Sequence, residues 1–143
     1  MVDRIYEYAL IAQALLPASS SGARSGVAID MMGWDGCDFI LNVGDIASTG
    51  TLNAKVQKDT VTNFASPTDI TSAAIVALAD TDDNNVFVIS VCEPSERYLR
   101  IVVTAATAAS VSGAIAIRWC RHGGGGLPPT QAAAQVITVG PGC

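Results

Sequence analysis

Metal-binding and redox signatures are scarce in this sequence. It has one histidine, and its four cysteines, at 37, 92, 120 and 143, form no Cys-x-x-Cys pair. With one His and no ligand spacing, zinc is the weakest reading, and a disulfide framework is weaker than reduced thiols. The cysteines are expected to be reduced, buried small hydrophobes, because a chain of 143 residues can build a core without disulfide staples. Basic charge is also scarce: Lys and Arg total 8 against 13 Asp and Glu, a net charge of −5. Such a chain lacks the basic stripe needed to hold nucleic-acid phosphates. No apolar run approaches the roughly 20 residues of a bilayer helix. The start of the chain is crowded by Asp3, Arg4 and Glu7, unlike a signal peptide, so a cytosolic setting is the expectation.

What is present is apolar and small. Half of the residues are hydrophobic but only 6% are aromatic, so Ala, Val and Ile carry the core. This composition excludes general disorder and favours closely packed strands in one domain. Residues 9–16 fit a short helix or a strand equally well, and end at Pro17 and Ser19-Ser20-Ser21-Gly22. Val27, Ile29 and Met31 alternate with Ala28, Asp30 and Met32. After Gly33-Trp34-Asp35-Gly36, Cys37, Phe39, Leu41 and Val43 alternate with Asp38, Ile40 and Asn42. Leu52, Ala54 and Val56 against Asn53, Lys55 and Gln57 form the cleanest half-exposed strand. Asp69 reads as the cap of a short helix through Ala79. Three apolar strands are expected over residues 86–92, 98–104 and 114–120, the first central in its sheet. Six or seven short strands with frequent turns define an all-β sandwich or jelly-roll-like domain over residues 9–121. Residues 1–8 and the Gly/Pro-rich 122–143 are expected to be extended arms.

The motifs that imitate chemistry fail on their partners. His122-Gly123-Gly124-Gly125-Gly126 has the look of an esterase oxyanion loop. The chain has no Gly-x-Ser-x-Gly elbow, however, and no second histidine to act as base. Asp80-Thr81-Asp82-Asp83-Asn84 opens like a calcium loop, but Asn85 stands where glycine is required and Val91 where the closing glutamate belongs. A looser calcium site shared with other loops is the weaker alternative to a solvated turn. Asp30, Asp35, Asp38, Glu93 and Glu96 lie at turns or on presumed solvent faces, and no phosphate loop occurs. The expectation is a protein without catalytic residues, cofactor or metal. Trp119 continues the Ile115 and Ile117 face and reads as core, whereas Trp34, in its glycine-flanked turn, reads as the better surface residue.

A recognisable order runs through Ala9-Leu10-Ile11-Ala12-Gln13-Ala14-Leu15-Leu16-Pro17, Gly26-Val27-Ala28-Ile29-Asp30 with Gly33 and Trp34, and Phe39-Ile40-Leu41-Asn42-Val43-Gly44. It continues through Gly50-Thr51-Leu52-Asn53-Ala54-Lys55-Val56-Gln57, Arg97-Tyr98-Leu99-Arg100-Ile101-Val102-Val103-Thr104 and Ser112-Gly113-Ala114-Ile115-Ala116-Ile117. This pattern resembles the small head-decoration, or capsid cement, proteins of tailed bacteriophages. The resemblance implies a β-sandwich that binds the major capsid protein on the outside of a phage head, in the virion, after assembly in the host cytoplasm. It also implies a homo-oligomer, with a trimer favoured; the net charge of −5 and the lack of a long apolar run argue against a nucleic-acid or membrane partner. Composition places the expected contacts on Arg4, Ile5, Tyr6 and Tyr8 of the first arm, on Trp34, and on Leu127, Val136, Ile137 and Val139 of the last. The alternatives are a head–tail neck or tail component and a carbohydrate-binding module, the latter requiring Trp34 exposed beside other aromatics.

Overall fold

A computed structural model of the chain describes residue 5, residues 9–120 and, for the backbone alone, residues 135–139. The strands are β1 (Ala9–Ser20), β2 (Ala23–Ser25), β3 (Ile29–Asp30), β4 (Gly36–Ile46), β5 (Thr51–Asp59), β6 (Thr68–Leu78), β7 (Val86–Cys92), β8 (Tyr98–Ala106), β9 (Ser110–Trp119) and β10 (Gln135–Val139). They form two sheets, one in the order β1-β9-β4-β7-β10, the other β2-β8-β5-β6 with β3 also paired to β8. The fold is a β-sandwich.

Period-two alternation explains which side chains meet between the sheets. From the first sheet, Cys37, Phe39, Leu41 and Val43 of β4, Phe87, Ile89 and Val91 of β7, and Ala114 and Ala116 of β9 point inward and are buried. From the second come Leu52, Ala54 and Val56 of β5, Leu99, Ile101, Val103 and Ala105 of β8, and Ala73, Ile75 and Leu78 of β6. Register sets the sizes. Ala116 stands opposite Phe39 and Ala114 opposite Leu41, so bulky residues on β4 leave room only for methyl groups on β9. The seam between the sheets is made at Gly26 and Val27. The Gly26 N–H donates to the Ile101 carbonyl of one sheet at 2.8 Å and the Val27 N–H to the Ala14 carbonyl of the other at 2.9 Å. A side chain at Gly26 would place its Cβ 2.3 Å from that Ala14 oxygen.

Three expectations are corrected or resolved. Residues 9–16 belong to strand β1. Residues 68–78 are strand β6, not a helix capped by Asp69. Its burial follows a strand interrupted at Ser72 and Ala77, both with positive φ (68° and 57°), and the register with β5 shifts accordingly. Thr71, Ile75 and Val76 are β-branched, and the free edge of β5 offers the hydrogen bonds that a lone helix on this surface would not gain. Residues 135–139, expected in an extended arm lying on its own body or on a neighbour, pair in parallel with β7, so Val136, Ile137 and Val139 occupy backbone positions within the sheet. Residues 1–4, 6–8, 121–134 and 140–143 lie outside the described residues. No helix among the described residues is long and apolar enough to cross a membrane.

Phe39 is fully buried at the centre of the core, whereas its neighbour Ile40 points to the other side and is half-buried. Phe39→Ala should therefore cost about 3–5 kcal/mol in urea unfolding, and Ile40→Ala distinctly less. Equal losses would mean that the face assignment of β4 is wrong.

Candidate docking surface

The same alternation that fills the core builds a second surface on the opposite side of the first sheet. Residues cross the strands there in three rows. Gln13 stands opposite Ile115, Ile115 opposite Ile40, and Ile40 opposite Val88. Ile11 stands opposite Ile117, Ile117 opposite Asp38, and Asp38 opposite Ser90. Ala9 stands opposite Trp119, Trp119 opposite Gly36, and Gly36 opposite Cys92. Ile11 is 47% exposed and Ile115 37%, while Ile40, Ile117, Val88 and Trp119 are half-buried. This is an apolar terrace on the outward face of the sheet.

Its polar members are tied down. The Trp119 indole N–H donates to Asp38 Oδ1 at 3.1 Å, and the Ser90 hydroxyl donates to the same oxygen at 2.6 Å. Gln13 Nε2 donates to the Leu15 and Ala114 carbonyls at 2.8 and 3.2 Å. The indole lies so close over Gly36 that a Cβ there would sit 2.2 Å from a ring carbon. Glycine at 36 is thus what lets the tryptophan lie against the sheet. Trp119 was expected in the core; it instead shares the outward face with Ile115 and Ile117. Sequence reasoning favoured the bulky partner of each pair as core and so inverted β9.

The outward face of the second sheet has the opposite character. Lys55 Nζ pairs with Asp69 Oδ2 at 2.7 Å, Gln57 Nε2 donates to Asp69 Oδ1 at 2.7 Å, and Arg100 donates twice to Gln57 Oε1 at 2.8 and 3.0 Å. The Arg100 guanidinium also lies 4.3 Å from the centre of the Phe64 ring. Lys55 and Gln57 hold the Asp69 carboxyl below its usual range. Burial alone would raise Asp59, but N–H groups of Ser66, Val61 and Thr60 outweigh it and bring that carboxyl down as well. These polar groups satisfy one another and leave little for a partner to take.

At the end of the sandwich where β8 and β9 meet the loop 31–36, Arg97 grips Asp30 through two bonds of 3.0 and 2.8 Å. Those bonds, followed by the Met32 N–H, hold the Asp30 carboxyl at about 2. Arg118 Nη1 donates to the Asp30 carbonyl at 2.7 Å and its guanidinium lies 5.5 Å from the Trp34 ring centre. Trp34 is half-buried against the core. Its indole therefore has both the core and the Arg118 guanidinium as neighbours.

The other expected contacts fare differently. Ile5 is 44% exposed. Arg4, Tyr6, Tyr8 and Leu127 lie outside the described residues, as do the side chains of Val136, Ile137 and Val139. Residues 80–85 make a polar turn with a short 3-10 segment (Asp80–Asp82). Asp82 accepts from the Ala79 N–H at 3.0 Å and Asp83 from the Ile46 N–H at 2.8 Å, so both carboxylates close the turn. Among the described residues, no three His, Cys, Asp or Glu side chains are grouped to hold a metal ion.

No protein-family model matches the chain, and no curated protein does. Among solved structures, its fold is similar to that of the PBSX exported protein XepA, with a TM-score of 0.57 and 13% identity. The similarity covers 92% of this chain but 43% of that one, so this chain spans less than half the length of that protein.

Two measurements check the site. Gly36→Ala should lift the indole off the sheet, shift Trp119 emission to the red in a Trp34→Phe background, and cost about 1–3 kcal/mol by overpacking. Asp30, with its carboxyl at about 2 against an ordinary 3.8, adds stability that is complete above pH 3.8 and fades as pH falls toward 2. A carboxyl-carbon NMR titration should find its midpoint near 2, and Arg97→Ala should return it toward the ordinary value.

Proposed function

We propose that this chain is a structural protein of a phage particle, a decoration protein that sits on the outside of the head, binds the major capsid protein and holds subunits together. The observation that carries the reading is the contrast between the two outward faces, one a self-satisfied polar net and the other an apolar terrace of Ile11, Ile40, Val88, Ile115, Ile117 and Trp119. A flat sheet face of this kind suits a broad, weakly specific contact repeated over many copies, where avidity supplies the holding strength. The fold likeness to a phage protein, PBSX XepA, supports the phage setting. The net charge of −5 supports a protein that keeps clear of packaged DNA. In this reading the protein acts by binding and performs no chemistry. It works as a homo-oligomer, with a trimer favoured at symmetry axes of the head.

Quantitative mass spectrometry of purified particles should find this protein at a copy number comparable to the major capsid protein. Six or twelve copies would replace the head by a neck or tail ring, and absence from the particle would end the virion reading. The double substitution Ile115→Glu/Ile117→Glu should release the protein from particles by at least tenfold while leaving its circular dichroism spectrum intact. Unchanged binding would move the contact off this face.

A further inference from the structure

Strand β10 is the outermost member of the first sheet and, among the described residues, hydrogen-bonds to β7 alone. Successive residues of a strand turn their N–H and C=O groups to alternate sides, so one set bonds β7 and the other points away from the sheet. Across the sandwich the neighbour of β10 is β6, the edge of the second sheet, and no ladder joins the two. Nothing in its sequence guards this edge. Gln135-Val136-Ile137-Thr138-Val139 holds no charge and no proline, and all but the glutamine are β-branched. The other edges are guarded: β6 by its positive-φ residues Ser72 and Ala77, β2 by its length of three residues, and β1 by Pro17 and by the Arg24 guanidinium on the Leu16 and Ala18 carbonyls. A strand added to this sandwich therefore has its place at β10.

We infer that β10 pairs with β10 of a second copy of this chain, antiparallel, about a two-fold axis perpendicular to the sheet. In this arrangement the unguarded edge of one molecule meets an equally unguarded edge, and no like charges are brought together. The axis reverses strand direction but leaves the faces of the sheet unchanged, so odd-numbered residues meet odd and even meet even. Centring the axis on Ile137 keeps every residue of Gln135–Val139 paired, with Val136 opposite Thr138 and Gln135 opposite Val139. Two five-stranded sheets then become one continuous sheet. With the faces preserved, the two apolar terraces lie side by side and look the same way. A ladder this short holds weakly by itself, but two terraces on one unit engage a surface bivalently. Only that bivalency rests on the terrace being a docking face. The pairing itself uses none of the terrace residues, and it can join a copy in one trimer to a copy in the next.

The test is sedimentation and native mass spectrometry of the full chain over a concentration series reaching the millimolar range. Mass should rise with concentration. Over the same series, hydrogen exchange at the amides of residues 135–139 that β7 does not bond should slow by about tenfold, while the β1 and β6 amides keep their rates. Val136→Lys/Thr138→Lys should abolish the concentration dependence, because the pairing sets lysines opposite one another, and Val136→Glu/Thr138→Glu should do the same. Mixing these two variants should restore association in complexes that contain both, which a folding defect would not allow. A mass that ignores concentration, protection that falls on β1 or β6, or variants that stay apart when mixed would each overturn the inference.

Discussion

The register of β4 is the constraint on which the other features depend. Every odd-numbered residue from Cys37 to Val43 is buried between the sheets, and the even-numbered residues Asp38, Ile40 and Asn42 face the other way. A slip by one residue would carry the Asp38 carboxylate into the core and expel Phe39, a loss on both counts. Since β4 pairs with both β7 and β9, its register also fixes theirs. The pairing of Asp38 with Ser90 on one side and Ile117 on the other is thus a consequence of where Phe39 must go.

The free edges of such a sandwich are exposed to unwanted pairing, and each described edge is treated differently. At β6, positive φ at Ser72 and Ala77 breaks the ladder, and Asn53 Oδ1 accepts the Ala77 N–H at 2.8 Å. β2 is only three residues long. On β1, the Arg24 guanidinium donates to the Leu16 and Ala18 carbonyls, both at 2.7 Å, while the Ala14 carbonyl is taken by Val27. Pro17, which has no N–H to offer, lies over Gly113 of β9. β7 is covered by β10. Edge-to-edge addition is therefore disfavoured at β6, β2 and β1, while β10 forms the outer edge of the first sheet.

Much of this was legible because alternation survives in the sequence wherever one face is polar. β5 is the clearest case: Leu52, Ala54 and Val56 are buried and Asn53 and Lys55 half-exposed, as read, though Gln57 is buried as well, bonded to Asp69 and Arg100. The reading failed where both faces are apolar. In β9 the residues Ala114, Ile115, Ala116 and Ile117 carry no polar marker, and size favours the isoleucines as core. Only the cross-strand partners Phe39 and Leu41 reveal that the core has no room for them, and strand pairing is not written in β9 itself. The run from Thr68 to Leu78 failed for a related reason. Its two irregular residues shift the phase of burial, and an interrupted strand then imitates a helix. The cysteines were expected to be reduced, whereas Cys92 is disulfide-bonded, and a disulfide in a chain long enough to build its own core is not encoded in cysteine spacing.

The terrace poses a physical problem that its polar members answer. A contiguous apolar sheet face promotes indiscriminate association before any partner is met. Here Asp38, Ser90 and Gln13 interrupt it, and their hydrogen bonds to Trp119, Leu15 and Ala114 hold them in the plane of the face. A partner that covers this surface must meet a carboxylate near its centre. That carboxylate is already hydrogen-bonded by Trp119 and Ser90, so the desolvation cost of covering it is lowered for a partner of the right shape. For a flat apolar surface that offers no polar group opposite Asp38, the cost stays high. The pair formed by Asp38 and the Trp119 indole lying over Gly36 therefore gives an otherwise greasy face a means of discrimination, and it follows directly from the register of β4.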